Sequence, residues 1–319
     1  MERRNFFKNV LISGAAVAAG TTLSGAGLAP AGSAIPVGDL NIGSVKKADP
    51  FKLKFSPDFG IFTELSGKGI VDQIKWGYDQ GFRAWENTWL KGRPKEEQEL
   101  ISKTLQQLGM EFGQFVGTMN FEKVTFAGQD KELREQALKE VRESVEIAKR
   151  MNTKFIHNVL GRAHPSLSYD FQMANAVELL KRVADIYEPH GLIMVMETMN
   201  HKINHAGMFL HTIPQAYSLA KSTNSPSVKM LYDFYHVQIE EGNLLPVLDY
   251  AYDEIAYIQI GDTPGRKEPT TGEINFPNVL RHLHEKGYRG FIGLEHDIKN
   301  PGKAGTQAAL DAYRTIDLK

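Results

Sequence analysis

The chain reads as an α/β protein whose residues 51–319 form one domain, a (β/α)8 TIM barrel. Three observations predict this. Short apolar runs alternate with amphipathic segments as far as the C-terminus. Eight such pairs fit in about 270 residues, the usual span of that architecture. Several helical segments stop at a glycine just before the next apolar run, at Gly81, Gly109, Gly191 and Gly287, as expected where a helix end needs the left-handed conformation. A doubly wound open sheet also alternates. However, no GxGxxG follows the first run, which counts against its dinucleotide-binding form.

Residues 1–34 stand apart from the barrel. Arg3 and Arg4 are followed by Phe6, Phe7 and Lys8, then by a weakly apolar stretch rich in Gly and Ala. Ala29-Pro30-Ala31 and Gly32-Ser33-Ala34 both have the form of a signal cleavage site. The segment RRNFFK resembles a twin-arginine export signal. The expected route is therefore through the twin-arginine machinery to the periplasm. Gly and Thr interrupt the apolar run well short of a membrane span, so no stable anchor is expected. Residues 35–50 read as a linker.

The predicted strands are 52–62, 82–89, 110–117, 154–160, 192–199, 228–236, 255–262 and 290–296. A helical pattern follows each. The clearest spans 130–151, where Leu133, Ala137, Leu138, Val141, Val145 and Ala148 share one face.

Composition narrows the chemistry. The 319 residues include 37 basic and 38 acidic side chains, for a formal net charge of −1. This balance supports neither nucleic-acid binding nor adsorption to anionic lipid. The chain has no cysteine, which excludes disulfides, thiolate metal sites and a Cys nucleophile. Any metal is held by oxygen and imidazole, which favours Mg²⁺ or Mn²⁺ and permits Zn²⁺, Co²⁺ or Ni²⁺. The sequence leaves self-association into a homo-oligomer open.

Polar residues close the last four strands. Strand five ends with Glu197 and Asn200, strand six with Asp233 and His236, strand seven with Gln259 and Asp262, and strand eight with Glu295 and His296. From Glu197 the steps to Asp233, Gln259 and Glu295 are 36, 26 and 36 residues, each about one βα unit. That spacing puts four side chains at one height on neighbouring strands, at the catalytic face of a barrel. Carboxylates converging there repel one another, and a divalent cation offsets the repulsion. Alone, each such residue is more often an ion-pair partner or a helix-cap acceptor; the repeat over four successive strands is what points to ligands. His157, Asn158 and Glu86 also sit late in their strands and read as structural or supporting groups. His205 and His211 fall in the loop after strand five, where histidines are usually solvated. The loop QIGDTPGRKEPTTGEINF, residues 259–276, is long enough to cover the barrel mouth. Within it, Arg266 either grips a substrate carboxylate through paired hydrogen bonds or pairs with Glu268.

The segments ETMN, YDFYHVQ, IQIGDTPGRKEPTTGEINF and GLEH resemble the hydroxypyruvate isomerase branch of the xylose isomerase-like TIM-barrel superfamily. The likeness covers most of the layout and is specific from about residue 192 to 296. It implies metal ligation by Glu197, Asp233, Gln259 and Glu295, acid–base work by Glu197 and Glu295, and substrate contact by His236 and Arg266. Related ketose 3-epimerases carry His at the position of Gln259, which favours the isomerase branch. Thr198, Met199 and His296 depart from the branch pattern, as does the export signal. The implied activity is metal-dependent isomerisation of a small α-hydroxycarbonyl compound, hydroxypyruvate to tartronate semialdehyde, through a cis-enediolate. The alternatives are a ketose or cyclitol epimerase or isomerase, and an exported sugar-binding barrel without catalysis.

Overall fold

The computed structural model describes residues 47–319. The expected signal peptide, and the linker as far as residue 46, lie outside the described residues. Among the described residues nine short strands form: β1 Lys54–Pro57, β2 Ala84–Trp85, β3 Glu111–Phe112, β4 Gln114–Thr118, β5 Phe155–Asn158, β6 Ile193–Glu197, β7 Val228–Asp233, β8 Ile255–Ile260 and β9 Phe291–Leu294. Ten α-helices accompany them: α1 Thr63–Ser66, α2 Ile70–Asp79, α3 Lys95–Gln107, α4 Lys131–Met151, α5 Tyr169–Tyr187, α6 Ile213–Thr223, α7 Phe234–Glu240, α8 Leu244–Ala251, α9 Phe276–Glu285 and α10 Gly302–Ile316. Among the described residues no helix is long and apolar enough to cross a membrane.

Among the described residues all pairings between these strands are parallel. One sheet runs β1-β9-β8-β7-β6-β5-β4, and β2 pairs with β3. Backbone hydrogen bonds link the two sheets. The Glu86 N–H donates to the Pro57 carbonyl at 3.0 Å, joining β2 to the end of β1. The Gly113 N–H donates to the Trp85 carbonyl at 2.8 Å and the Asn87 N–H to the Gln114 carbonyl at 3.2 Å, carrying β2 along β3 and β4. The run read as one strand over 110–117 is therefore split at Gly113. A Cβ on Gly113 would sit 2.2 Å from the Tyr257 hydroxyl, so only glycine fits there. Counting β3 and β4 as one stave, the barrel has the eight staves expected.

Helix α4 shows how the sequence builds the outer layer. The Asp130 side chain accepts the Leu133 N–H at 3.0 Å, capping the first turn. Asn152 ends the helix in the left-handed conformation at φ 53°, one of the few non-glycine residue types that do so readily. Between them Ala137, Leu138, Val141, Val145 and Ala148 are buried. Burying each of the larger of these side chains is worth about 1.5–3 kcal/mol. Gly81, Gly109, Gly191 and Gly287 all have positive φ, as expected from their positions.

The barrel interior is layered by the two-residue period of its strands. Toward the strand N-termini, Ala84, Phe155, Val195, Leu231, Tyr257 and Phe291 form an apolar plug. Two residues further along the same strands stand Glu86, His157, Glu197, Asp233, Gln259 and Gly293. Gly293 leaves room for the buried Glu86 carboxyl, which accepts the Tyr257 hydroxyl at 2.5 Å and the Gln114 amide at 3.2 Å. Burial, reinforced by the nearby Asp58 and Glu295 carboxylates, pushes the Glu86 carboxyl well above its usual range despite the Tyr257 hydrogen bond.

A Cβ on Gly293 would lie 2.5 Å and 2.7 Å from the two Glu86 carboxyl oxygens. Gly293→Ala should therefore cost about 1–3 kcal/mol through overpacking, read as a lower midpoint in urea. Gly92→Ala, which faces open space, should change stability by no more than about 0.5 kcal/mol. Equal midpoints for the Gly293 variant and the parent would mean that Glu86 moves aside freely.

Candidate active site

The polar layer converges at the C-terminal mouth of the barrel. Glu197 ends β6 and Asp233 ends β7; Gln259 lies one residue before the end of β8, and Glu295 directly follows β9. Asp233 pairs in register with Gln259. Its Oδ1 accepts the Tyr235 N–H at 2.8 Å, which caps α7 and turns the chain out of the strand. The strand read over 228–236 therefore stops at Asp233, and His236 stands on the first turns of α7 rather than on β7. The His157 Nε2 lies 2.8 Å from Glu197 Oε2, where a ring N–H donates to the carboxylate. The Asn200 N–H donates to His236 Nδ1 at 3.2 Å. The Asn200 side-chain amide also donates to Nδ1, at 2.6 Å, so in the neutral ring the proton sits on Nε2, 3.1 Å from an Arg266 guanidinium nitrogen, 3.4 Å from Glu197 Oε1 and 3.7 Å from Asp233 Oδ2.

Arg266 reaches into this group from the long loop after β8. One terminal guanidinium nitrogen lies 2.7 Å from Asp233 Oδ2, 2.9 Å from Glu295 Oε1 and 4.0 Å from Glu197 Oε1. Its Nε–H donates to the Glu295 carbonyl at 3.0 Å, and its guanidinium lies 5.0 Å from the centre of the Tyr235 ring. The loop is built around Asp262, which accepts the N–H groups of Thr263, Gly272 and Ile274. That scaffold holds Arg266 at φ 52°. Glu268, the alternative partner read for Arg266, instead accepts the Lys299 N–H at 2.7 Å.

The electrostatics follow from burial and mutual proximity. Burial alone would raise Glu197, yet His157, His236 and Arg266 overcome it and pull the carboxyl down to about 2. Burial raises Asp233 to about 7, with Glu197 and Glu295 adding to the effect and Arg266 opposing it. Burial also raises Glu295, again against Arg266. Burial and the Arg266 charge hold His236 well below the usual imidazole range, hence neutral. For His157 burial acts downward, but the Glu197 charge wins and raises it.

The donor set fits a divalent cation. Glu197 Oε1, Glu295 Oε2 and both amide atoms of Gln259 are buried without a hydrogen-bond partner. Leaving such atoms unpaired costs about 1–3 kcal/mol each, and more for charged groups. Apart from the amide nitrogen they are hard oxygen donors, the kind a small divalent cation takes, beside the carboxylates that Arg266 bridges. One donor atom each of Glu197, Asp233 and His236 also lies within 4.8 Å of the others.

Glu197, Asp233, Gln259, Glu295, His236 and Arg266 are thus brought to one place. Among the other polar residues of the strand ends, Asp262 organises its loop. The His296 Nδ1 donates to the Asp297 carbonyl at 2.9 Å, and its Nε2 meets the Tyr313 hydroxyl, both away from the carboxylates. Asn158 ties to Thr118, and Glu86 is taken up by the Tyr257 hydroxyl and the Gln114 amide. His205 and His211, expected to be solvated, are both half-buried. His205 stacks on Phe121, and His211 on His201. Tyr235 and Asn204 were not anticipated. The Tyr235 hydroxyl donates to Asn204 at 2.9 Å, while the neighbouring Phe234 is core. The one available signal for Tyr235 was its place next to His236.

Comparison with known proteins agrees with this architecture. The sequence model of the xylose isomerase-like TIM barrel matches residues 74–316. A hydroxypyruvate isomerase of Escherichia coli is 29% identical over 187 residues, covering 59% of this chain and 70% of that protein. A 2-oxo-tetronate isomerase of Pectobacterium atrosepticum is 29% identical over 171 residues, covering 54% of this chain and 65% of that protein. The crystal structure of the IolI protein with a bound zinc atom superposes with a TM-score of 0.64 at 18% identity, covering 82% of this chain and 96% of that one, a likeness of fold. The barrel, its carboxylate-ringed mouth and the match over three quarters of the sequence lead to one conclusion: this chain belongs to the xylose isomerase-like TIM barrel family.

Proposed function

We propose that the protein is a divalent-cation-dependent isomerase of a small α-hydroxycarbonyl acid, interconverting hydroxypyruvate and tartronate semialdehyde. The observation that carries this reading is that Glu197, Asp233, Gln259 and Glu295 close neighbouring strands at one mouth, with Glu197 Oε1, Gln259 Oε1 and Glu295 Oε2 buried and unpaired. The names of the two isomerase relatives support the reaction class, and both substrates named are oxo acids.

Glu197, Asp233, Gln259 and Glu295 hold the cation, Mg²⁺ or Mn²⁺ in the first instance. When bound, it supplies Lewis acidity to the substrate carbonyl and makes the adjacent carbon-bound hydrogen more acidic. One of Glu197 and Glu295 takes that proton, leaving an enediolate. Return of the proton to the other carbon, with the hydroxyl proton passing between the two oxygens, gives the isomer with no change in composition. Return to the same carbon from the opposite face would give an epimer. The His236 Nε2–H donates to a substrate oxygen, its ring held by Asn200. Arg266 carries a guanidinium beside the same point and is suited to a substrate carboxylate. The two arginines at residues 3 and 4 direct the folded enzyme out of the cytoplasm to the periplasm.

The decisive experiment follows proton exchange in D₂O by NMR, with hydroxypyruvate, tartronate semialdehyde and simple ketoses offered in turn. Deuterium should enter hydroxypyruvate at the carbon next to its carbonyl. Uptake with ketoses alone would favour the epimerase reading, and no uptake with any of the compounds would sink the proposal. Glu197→Gln and Glu295→Gln should each lose about 100- to 10,000-fold in exchange rate with unchanged circular dichroism. Chelation should stop exchange, and Mg²⁺ or Mn²⁺ should restore it. Gln259→Ala should need a higher cation concentration for the same rate. Replacing Arg3 and Arg4 with Lys should leave the protein in the cytoplasmic fraction; unchanged periplasmic recovery would refute the export route.

A further inference from the structure

Of the four residues proposed to hold the cation, Asp233 alone has no buried atom left unpaired. Glu197 Oε1, Glu295 Oε2 and both amide atoms of Gln259 are buried without a partner. Asp233 Oδ1 accepts the Tyr235 N–H at 2.8 Å, and its Oδ2 accepts an Arg266 guanidinium N–H at 2.7 Å. The same guanidinium nitrogen lies 2.9 Å from Glu295 Oε1. Arg266 thus bridges two of the proposed ligands with the charge that a cation would otherwise supply. Its other terminal nitrogen lies 3.1 Å from His236 Nε2. Asn200 donates to Nδ1 of that ring from its backbone and from its side-chain amide, so Nε2 carries the proton in the neutral ring. Arg has no acceptor atom, and two N–H donors therefore face each other. Attraction to the carboxylates, not hydrogen-bond fit, draws Arg266 to this place. Asp262 fixes the loop through the N–H groups of Thr263, Gly272 and Ile274. The Arg266 side chain is 22% exposed, so it has a way out toward solvent with the loop still held.

We propose that Arg266 is a built-in stand-in for the cation: it holds Asp233 and Glu295 in the metal-free protein, releases them when the metal is bound, and only then is available to a substrate carboxylate. The proposal rests on the cation site described under the proposed function. Without the metal, buried carboxylates need a positive neighbour, because an unpaired buried charge is costly. Arg266 meets that need. With a divalent cation on the same carboxylates, the guanidinium loses its attraction and is repelled at close range, where screening is weak. Once released, it still has the paired N–H donors that match a carboxylate. Its withdrawal also removes the donor facing His236 Nε2–H, which can then meet a substrate oxygen. The two binding events are thereby coupled. The cation makes the clamp available to the acid, and the acid, by holding Arg266 away from Asp233, tightens the cation to the same degree.

The test titrates Mn²⁺ by calorimetry into the full chain, freed of metal and without substrate. Arg266→Met should bind Mn²⁺ about ten-fold or more tightly than the parent, because a competing positive charge is gone. Release is read separately on the parent protein. Phenylglyoxal, which modifies accessible guanidinium groups, is applied with and without saturating Mn²⁺, and the label on each arginine peptide is measured by mass spectrometry. Mn²⁺ should raise the labelling of Arg266 several-fold and leave that of the exposed Arg281 unchanged. If Arg266→Met fails to fold without the cation by circular dichroism, Arg266→Gln takes its place in the titration. The proposal is overturned if the variant binds Mn²⁺ no more tightly than the parent, or if Mn²⁺ leaves the labelling of Arg266 unchanged or lowers it. Binding of Mn²⁺ to neither protein would overturn the cation site itself, and this proposal with it.

Discussion

The structure is organised around three carboxylates gathered at one barrel mouth, Glu197 and Asp233 fully buried and Glu295 half-buried beside them. Glu197, Asp233 and Glu295 point into the mouth of one barrel, where water is scarce and like charges cannot be screened. Burying an ion costs several kcal/mol even after relaxation, and two such costs beside a third carboxylate require compensation nearby. Arg266 provides positive charge within 2.9 Å of two of them. His157 provides a hydrogen bond to the third. What these groups leave unpaired, on Glu197, Glu295 and Gln259, is a set of oxygens that a small hard cation fits.

Much of the surrounding architecture serves this arrangement. The loop after β8 is long because it must carry a guanidinium back over the strand ends, and Asp262 ties it down through three backbone N–H groups. Helix α7 begins where Asp233 caps it, so one carboxylate both faces the centre and turns the chain that presents His236. Asn200 then fixes the ring by occupying Nδ1. Beneath the polar layer, the plug of Phe155, Leu231, Tyr257 and Phe291 fills the barrel and gives the carboxylates a rigid apolar floor. Glu86 marks the border between the layers. It is a carboxyl kept in place by the Tyr257 hydroxyl and by the space a glycine leaves open.

The ring of four was legible in the sequence because strand repeats and helix lengths convert directly into height on a barrel. Steps of 36, 26 and 36 residues return the chain to the same end of successive staves. The two-residue period then decides which side chains face inward. Boundaries were less legible: the strand expected to run on to His236 stops at Asp233, because a side-chain cap competes with strand extension. Tyr235 and Asn204 were missed for a related reason. An aromatic beside a helix start looks alike whether it enters the core, as Phe234 does, or meets a guanidinium.

By itself the sequence determined the eightfold alternation, the absence of thiol chemistry, the four polar residues that close the last strands and the place of the arginine loop. These depend on local periodicity and on residue type, both of which are written along the chain. Tertiary structure alone decided which partner each charge takes. Arg266 turns inward to Asp233 and Glu295 rather than outward to Glu268. Such choices rest on electrostatic energies that vary with burial and with distances of a few ångströms between residues far apart in sequence.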